Sequence, residues 1–168
     1  RRRVTRSAVI KWSILQHYEV CDTPLLDVTH SLRIAASFAS LNNTSNEAYL
    51  MVLALPQITG AVSSCAYHEL QTVRLSSLCP PSAARPHLQE GYLIGEYPEL
   101  RTMEDKIDLG LHETDFGQRI IGKFKFNPQT FWSNNSFPKV NEEALYPNNY
   151  DRLYEVCQSI KNSLNNIV

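Results

Sequence analysis

The chain has 168 residues, 43% of them hydrophobic, which is the size and composition of one ordinary domain with a core of its own. Lys and Arg number 16 against 17 Asp and Glu, and the net charge of -1 excludes a global field that would draw the protein to nucleic acid or to an anionic membrane. Four scattered cysteines, Cys21, Cys65, Cys79 and Cys157, form no CxxC pair, which argues against a disulfide scaffold and a structural zinc site and fits a reducing compartment.

No apolar run approaches the roughly 20 residues of a membrane helix, so the expectation is a soluble, cytoplasmic protein with no membrane partner. The dense basic run "RRRVTR", Arg1 to Arg6, reads as a solvated start, a tail or a phosphate contact. The chain opens on Arg1 and not on Met, which suggests a piece of something longer.

Between Arg6 and Val20, Ala8, Val9, Trp12 and Leu15 recur at the spacing of one helix face, which predicts a helix ending before "CDTP". Pro24 turns the chain extended, so "LLDVT" reads as a short strand. A second helix follows, with Thr29 or Ser31 as its cap and Leu32, Ala35, Ala36 and Ala39 as a small-residue face against a sheet. After the polar turn "NNTSNE", the run "AYLMVLAL" predicts a central strand. Residues 56–86 read as loop with weak strands near Val62 and Val73, and "GYLIGEY" and "QRIIGKFKFNP" as two further strands. A last helix is predicted over 149–164, with Leu153, Val156, Ile160 and Leu164 on one face. The fold class expected is α+β, a single domain over 1–168.

The order "QHY", a proline loop, "LLD", a Thr and a helix ending in "FA" resembles the FRG domain, a bacterial and phage module named for a Phe/Tyr-Arg-Gly motif. The later segment "ARPHLQEGYLIGE" is similar to the family's Arg–x–x–x–Gln–x–Gly as Arg85, Gln89 and Gly91, and "KFKFNP" and "ALYPNNYDRL" to its closing strand and aromatic-Pro turn. Together these pieces cover roughly Trp12 to Leu153. The chain departs from the pattern at Glu19, where the family has glycine, at "DTP" and at Val28, and it contains no FRG or YRG. The family's opening strand is therefore missing, as in a fragment or a diverged copy.

The resemblance implies a mixed, split β-sheet with flanking helices, similar to the ADP-ribosyltransferase fold, and NAD as bound nucleotide or substrate. In that fold an Arg or His on the first strand grips NAD, a role that falls to the absent motif. A Ser, Thr or Tyr on a second strand supports the nicotinamide ribose, a role that falls on Thr29, and a Glu or Gln on a third orients the reacting ribose, a role that falls on Gln89 or Glu90. The family pattern further implies that Gln16, His17 and Tyr18 look into the cleft.

The residues carry their own readings. Cleavage of the glycosidic bond of NAD develops positive charge on the ribose, which Glu90 could stabilise, whereas Gln89 could hydrogen-bond but not act as a base. Asp27 either orients His17 or caps the turn into the next helix, and Thr29 is either a helix cap or a substrate contact. Arg85 precedes a proline, so an extended backbone would present its guanidinium to a phosphate or to a surface ion pair. Cys21 and His17, at i and i+4, lack the orienting group and oxyanion site of a nucleophile pair. His17, His30, His68, His87 and His112 show no ligand spacing, and "MEDKIDLGLHETD" lacks the register of a calcium loop, so no metal is expected.

Two functions from different classes follow. One is an NAD-binding module able to transfer ADP-ribose to a macromolecular acceptor, protein or nucleic acid. The other is a non-catalytic module that recognises a protein or nucleic-acid partner. A general nucleic-acid surface would require the basic start to join Arg74, Arg85 and Arg101 in one stripe.

Overall fold

The computed structural model describes residues 7–56, 59–97 and 116–165. The basic run at Arg1 to Arg6, the acidic stretch at 103–115, and Arg101 and His112 lie outside the described residues.

Helix α1 spans Ala8–His17 and buries Val9, Ile10, Ser13 and His17, so its most buried stripe carries two polar residues, with Leu15 half-buried against the Tyr18 cluster and Trp12 outside it. Ser13 is satisfied there by donating to the Val9 carbonyl at 2.8 Å. The helix ends in a Schellman motif: Glu19 N–H bonds to the Gln16 carbonyl and Val20 N–H to the Leu15 carbonyl, each at 2.8 Å. That motif requires a left-handed residue after the cap, and Glu19 takes it with φ of 57°. Glycine adopts that conformation at about 1 kcal/mol less cost.

Strand β1, Leu26–Thr29, leads into α2, Leu32–Ala39, whose N-cap is Ser31, its hydroxyl accepting from Ile34 N–H. The buried face of α2 is Ile34, Ala36 and Ser37; Leu32 and Ala35 point elsewhere. Strand β2, Ala48–Leu53, is not central. Among the described residues it pairs only with β6, Ile120–Phe126, in a separate two-stranded sheet in which Ala48 is the one buried residue of β2. A continuous apolar run has the same pattern whether both faces of a strand are covered or its edge borders an apolar cleft, and here the second holds.

The main sheet has the order β1-β5-β4-β3, with β3 at Val62–Cys65, β4 at Leu70–Arg74 and β5 at Gly91–Glu96. All pairings among the described residues are antiparallel, so the sheets are split as expected but not mixed. Between β4 and β5 lies a short helix the sequence did not announce, α3, Ala84–Leu88. Pro86 is tolerated there because it falls in the first turn, where no intrahelical N–H bond is lost. Helix α4, Glu142–Leu145, is capped by Asn141, and α5 runs Arg152–Asn165. The architecture is α+β, with two antiparallel sheets and five α-helices among the described residues. None of these helices is long and apolar enough to cross a membrane.

The core lies between α1, the main sheet and the segment around α3: Val9 and Ile10 pack with Val73, Leu75, Cys79, Ala83 and Leu93. A second cluster joins Tyr18 and Val20 to Cys157 of α5, with Leu153 touching both. Val156, Ile160 and Leu164, expected on the packed face of α5, are exposed, and Cys157 is buried in their place.

Between the two clusters sits Asp151. Its Oδ2 accepts from the Tyr18 hydroxyl and from Arg85 N–H, both at 2.8 Å, and its Oδ1 accepts from Leu153 and Tyr154 N–H as the cap of α5. Asp151→Ala removes four acceptor contacts and leaves a buried phenol unpaired. It should destabilise the fold by about 3 kcal/mol or more, read as a drop in denaturant midpoint, with Asp151→Asn recovering part of the loss.

Burial pushes the Cys79 and Cys157 thiols up to about 11, with the Asp151 charge adding to each. Burial and the Asp151 hydrogen bond likewise hold the Tyr18 phenol protonated far above the ordinary tyrosine value. An unfolded thiol loses its proton near the ordinary value of 9.0, whereas the folded ones keep it to about 11, so the folded state binds more protons across that interval. Stability should be complete below pH 9 and fall as pH rises toward 11. Melting temperatures across that range check this, and the double variant Cys79→Ala, Cys157→Ala should show a shallower decline.

Candidate functional site

A cleft of about 830 Å³ opens between the main sheet and the β2–β6 ribbon. Its floor is α2, through Leu32, Ala35 and Phe38. One wall is β1 with the end of α1, and the other is β2. Gln16, His17, Asp27, Thr29, Arg85 and Gln89 all line this cleft, brought from α1, β1 and the two ends of α3.

At its polar end the side chains hold one another. Gln16 Nε2 donates to Asp27 Oδ2 at 2.5 Å and to the Leu25 carbonyl at 3.0 Å, while its Oε1 accepts from the Thr23 hydroxyl. His17 Nδ1 stands 3.7 Å from Asp27 Oδ1, beyond hydrogen-bond length but within ion-pair reach. The histidine side chain is only 4% exposed, and its Nε2 is buried without a partner in the described structure, whereas Asp27 is 51% exposed and open to the cleft. Asp27 therefore meets Gln16 and His17 rather than capping the next helix, a duty that Ser31 performs.

The remaining residues divide. The Thr29 hydroxyl donates to the Gln89 carbonyl at 3.0 Å and accepts from Ser31 N–H at 3.1 Å, so its one proton is already engaged. Gln89 ends α3 instead of sitting on a strand, and its Nε2 donates to the Leu145 carbonyl at 2.6 Å. Glu90 does not line the cleft. With φ of 50° it turns its carboxylate to His30 Nε2 at 2.7 Å, forming a half-exposed pair whose histidine rests edge-on against Tyr92. The structure thus separates two neighbours that the sequence left equivalent.

Tyr18 also leaves the cleft. Successive helix positions lie about 100° apart, so Gln16, His17 and Tyr18 cannot share one face, and the third turns inward to Asp151. Arg85 borders the cleft but is 2% exposed, within a helical turn and not an extended stretch. Its guanidinium donates to the His17 carbonyl at 2.8 Å, to Glu19 Oε1 at 3.2 Å and to Asn148 Oδ1 at 3.2 Å, and Cζ lies 4.8–5.6 Å from the rings of Tyr146, Tyr18 and Tyr154. A cation removed from water needs such partners, and these occupy it in place of a phosphate. Buried as it is, Arg85 cannot join Arg74 in a basic surface stripe. Cys21 is exposed and stands apart from the cleft. Among the described residues no group of three or more His, Cys, Asp or Glu could hold a metal ion.

The sequence did not mark Phe38, Tyr49, Met51 or Tyr146 as cleft residues. Their only signal was an apolar run in a strand and a Tyr-Pro turn, both of which serve packing as readily. No family model matches the chain, and no curated protein or solved structure matches it either.

Gly91 explains how His17 fits. It opens β5 opposite Thr29, and a Cβ there would lie 3.2 Å from His17 Cε1. Gly91→Ala should push the ring from its slot at a cost of about 1 kcal/mol, and the His17 ring resonances should shift while those of His68 and His87 stay in place.

Proposed function

We propose that the cleft between the two sheets binds NAD and that the protein, in its complete form, transfers ADP-ribose to a macromolecular acceptor. The observation that carries this reading is the convergence of Gln16, His17, Asp27, Thr29, Arg85 and Gln89 on one cleft of about 830 Å³, a volume in the range of pockets for small molecules. Among these residues, Asp27 is the half-exposed carboxylate at the polar end. The oxidised nicotinamide ring is cationic, and the ribose gains positive charge as the glycosidic bond breaks, so an anion beside it lowers the barrier. Asp27 takes this part, since Glu90 does not line the cleft and its carboxylate is held by His30 at the cleft's border. Phe38, Tyr49 and Leu32 offer an apolar surface for a flat ring. Ser31 and Leu32 bring the start of α2 to the same cleft, so the pyrophosphate would meet backbone N–H groups and not Arg85.

One observation favours a second reading, a non-catalytic module for a protein partner: among the described residues the only Lys or Arg lining the cleft is the buried, hydrogen-bonded Arg85, and it is not free to meet a nucleotide's phosphates.

Calorimetric titration of NAD decides between them. Asp27→Asn should weaken binding about tenfold, the effect of one ionic contact, with an unaltered melting temperature. Thr29→Ala and Gln89→Ala should weaken binding only in proportion to a loss of stability, because both are engaged by the fold. Affinity unchanged in a folded Asp27→Asn protein would move NAD away from this end of the cleft, and no heat at millimolar NAD would leave the second reading.

A further inference from the structure

The cleft is bordered by strand edges. Tyr49, Leu50, Met51, Val52 and Leu53 all line it, five consecutive residues of β2, whereas no residue of β6 does. Successive side chains of a strand point to opposite faces, so a strand facing a cleft with its surface contributes alternate residues only. An unbroken run means that the backbone edge of β2, the one away from β6, borders the space. Among the described residues that edge has no strand partner. The opposite wall repeats the arrangement, with Asp27, Val28 and Thr29 in succession from β1, the edge strand of the main sheet.

Exposed edges are normally blunted by lysine, proline or an inward charge. The six residues of β2, "AYLMVL", contain none of these, and Tyr49 and Met51 are 46% and 56% exposed. The charge of the groove points one way. At one end stand two carboxylates open to solvent, Asp27 at 51% exposure and Glu19 at 60%, the second sharing one oxygen with the buried Arg85. On the ribbon itself the cations are occupied, Lys125 by Glu47 and Lys123 by the ring of Tyr49 at 4.8 Å. Such a lining repels the phosphates of a nucleic acid and suits a positively charged side chain.

We infer that this groove captures an extended segment of a protein partner, which pairs as an added strand with the free edge of β2 and sets a Lys or Arg beside Asp27 and Glu19. The six residues of β2 span about 20 Å, enough for four to six paired residues. Backbone pairing supplies affinity, Leu32, Ala35 and Phe38 of the floor receive alternate apolar side chains, and the acidic end fixes direction. The inference goes beyond NAD binding: the basic residue of the peptide competes with a nucleotide for Asp27, whereas pairing along the edge of β2, open among the described residues, needs no nucleotide.

The test is selection of random hexapeptides displayed on phage against the whole immobilised chain, followed by anisotropy and amide exchange with the strongest labelled peptide. The expected peptides carry a basic residue and alternating apolar residues, slow the exchange of amides within Tyr49–Leu53, and lose at least tenfold in affinity when alternate peptide amides are N-methylated. Asp27→Asn and Glu19→Gln should each weaken them several-fold, with melting temperatures confirming the fold. Four results would overturn the inference: no enriched peptide, enriched peptides that leave β2 exchange unchanged, displacement by single-stranded oligonucleotide, or a free chain that already dimerises through β2. The NAD titration is a separate arm. Failure of NAD with peptide protection of β2 removes only the nucleotide reading, and the converse removes only this one.

Discussion

The carboxylate of Asp151 holds together three pieces of chain that are far apart in sequence. It receives the phenol that follows α1, the second backbone N–H of α3 and the first-turn amides of α5. The phenol and the Arg85 N–H are buried, and neither could stay unpaired without a cost comparable to a lost hydrogen bond. One acidic side chain thus fixes where α1 ends, where α3 begins and where α5 starts. The two hydrophobic clusters meet across the same point, with Leu153 shared between them. The apolar surfaces would pack in several ways by themselves, and the four directional bonds to Asp151 select one.

From that anchor the fold reaches the cleft through Arg85. Because Asp151 pins the backbone of Arg85, the guanidinium comes to the carbonyl of His17 and to Glu19, the two residues at the C-terminal end of α1. The left-handed turn at Glu19 is therefore both a helix stop and a place for a charge partner. A glycine there would relieve the backbone strain and lose that partner. Four residues further on, Gln89 ties α3 to Thr29 and to Leu145, and Gly91 leaves room for the His17 ring. The segment "RPHLQEG" is a brace that sets the wall of the cleft.

This explains why the sequence was legible in part. The helices at α1, α2 and α5 and the strands at β1, β5 and β6 follow from periodicity and from Pro24, because those signals are local. Gln16, His17, Asp27 and Thr29 line one cleft because the turn between α1 and β1 is short enough to bring them together, and Gln89 joins them from the end of α3. What failed depends on non-local partners. Arg85 reads as a free cation until Asp151, 66 residues away, is seen to pin its backbone within a helix. Tyr18 reads as a cleft residue until the same carboxylate draws it inward. The apolar run of β2 cannot say whether its edge is covered, because edge pairing leaves no trace in the order of side chains.

The two walls of the cleft are held by different means. The β1 side is fixed by the buried network of Asp151, Arg85 and His17. The β2–β6 ribbon has one buried residue in β2 and none in β6. It is joined to the rest through the Arg119 guanidinium just before β6, which donates to the His68 carbonyl in the β3–β4 turn, through α2, and through the stretch that follows β6. There the Trp132 indole donates to the Ser40 hydroxyl, the Lys139 ammonium to the Ser40 carbonyl, and Val140 N–H to the Ser37 hydroxyl. Phe126, Phe131, Trp132 and Phe137 stack beside these bonds. A wall with little buried apolar area opens at lower free energy than one anchored in the core. On the proposed reading, the free energy of admitting a ligand falls on the ribbon, while Asp27 and His17 stay on the wall tied into the core.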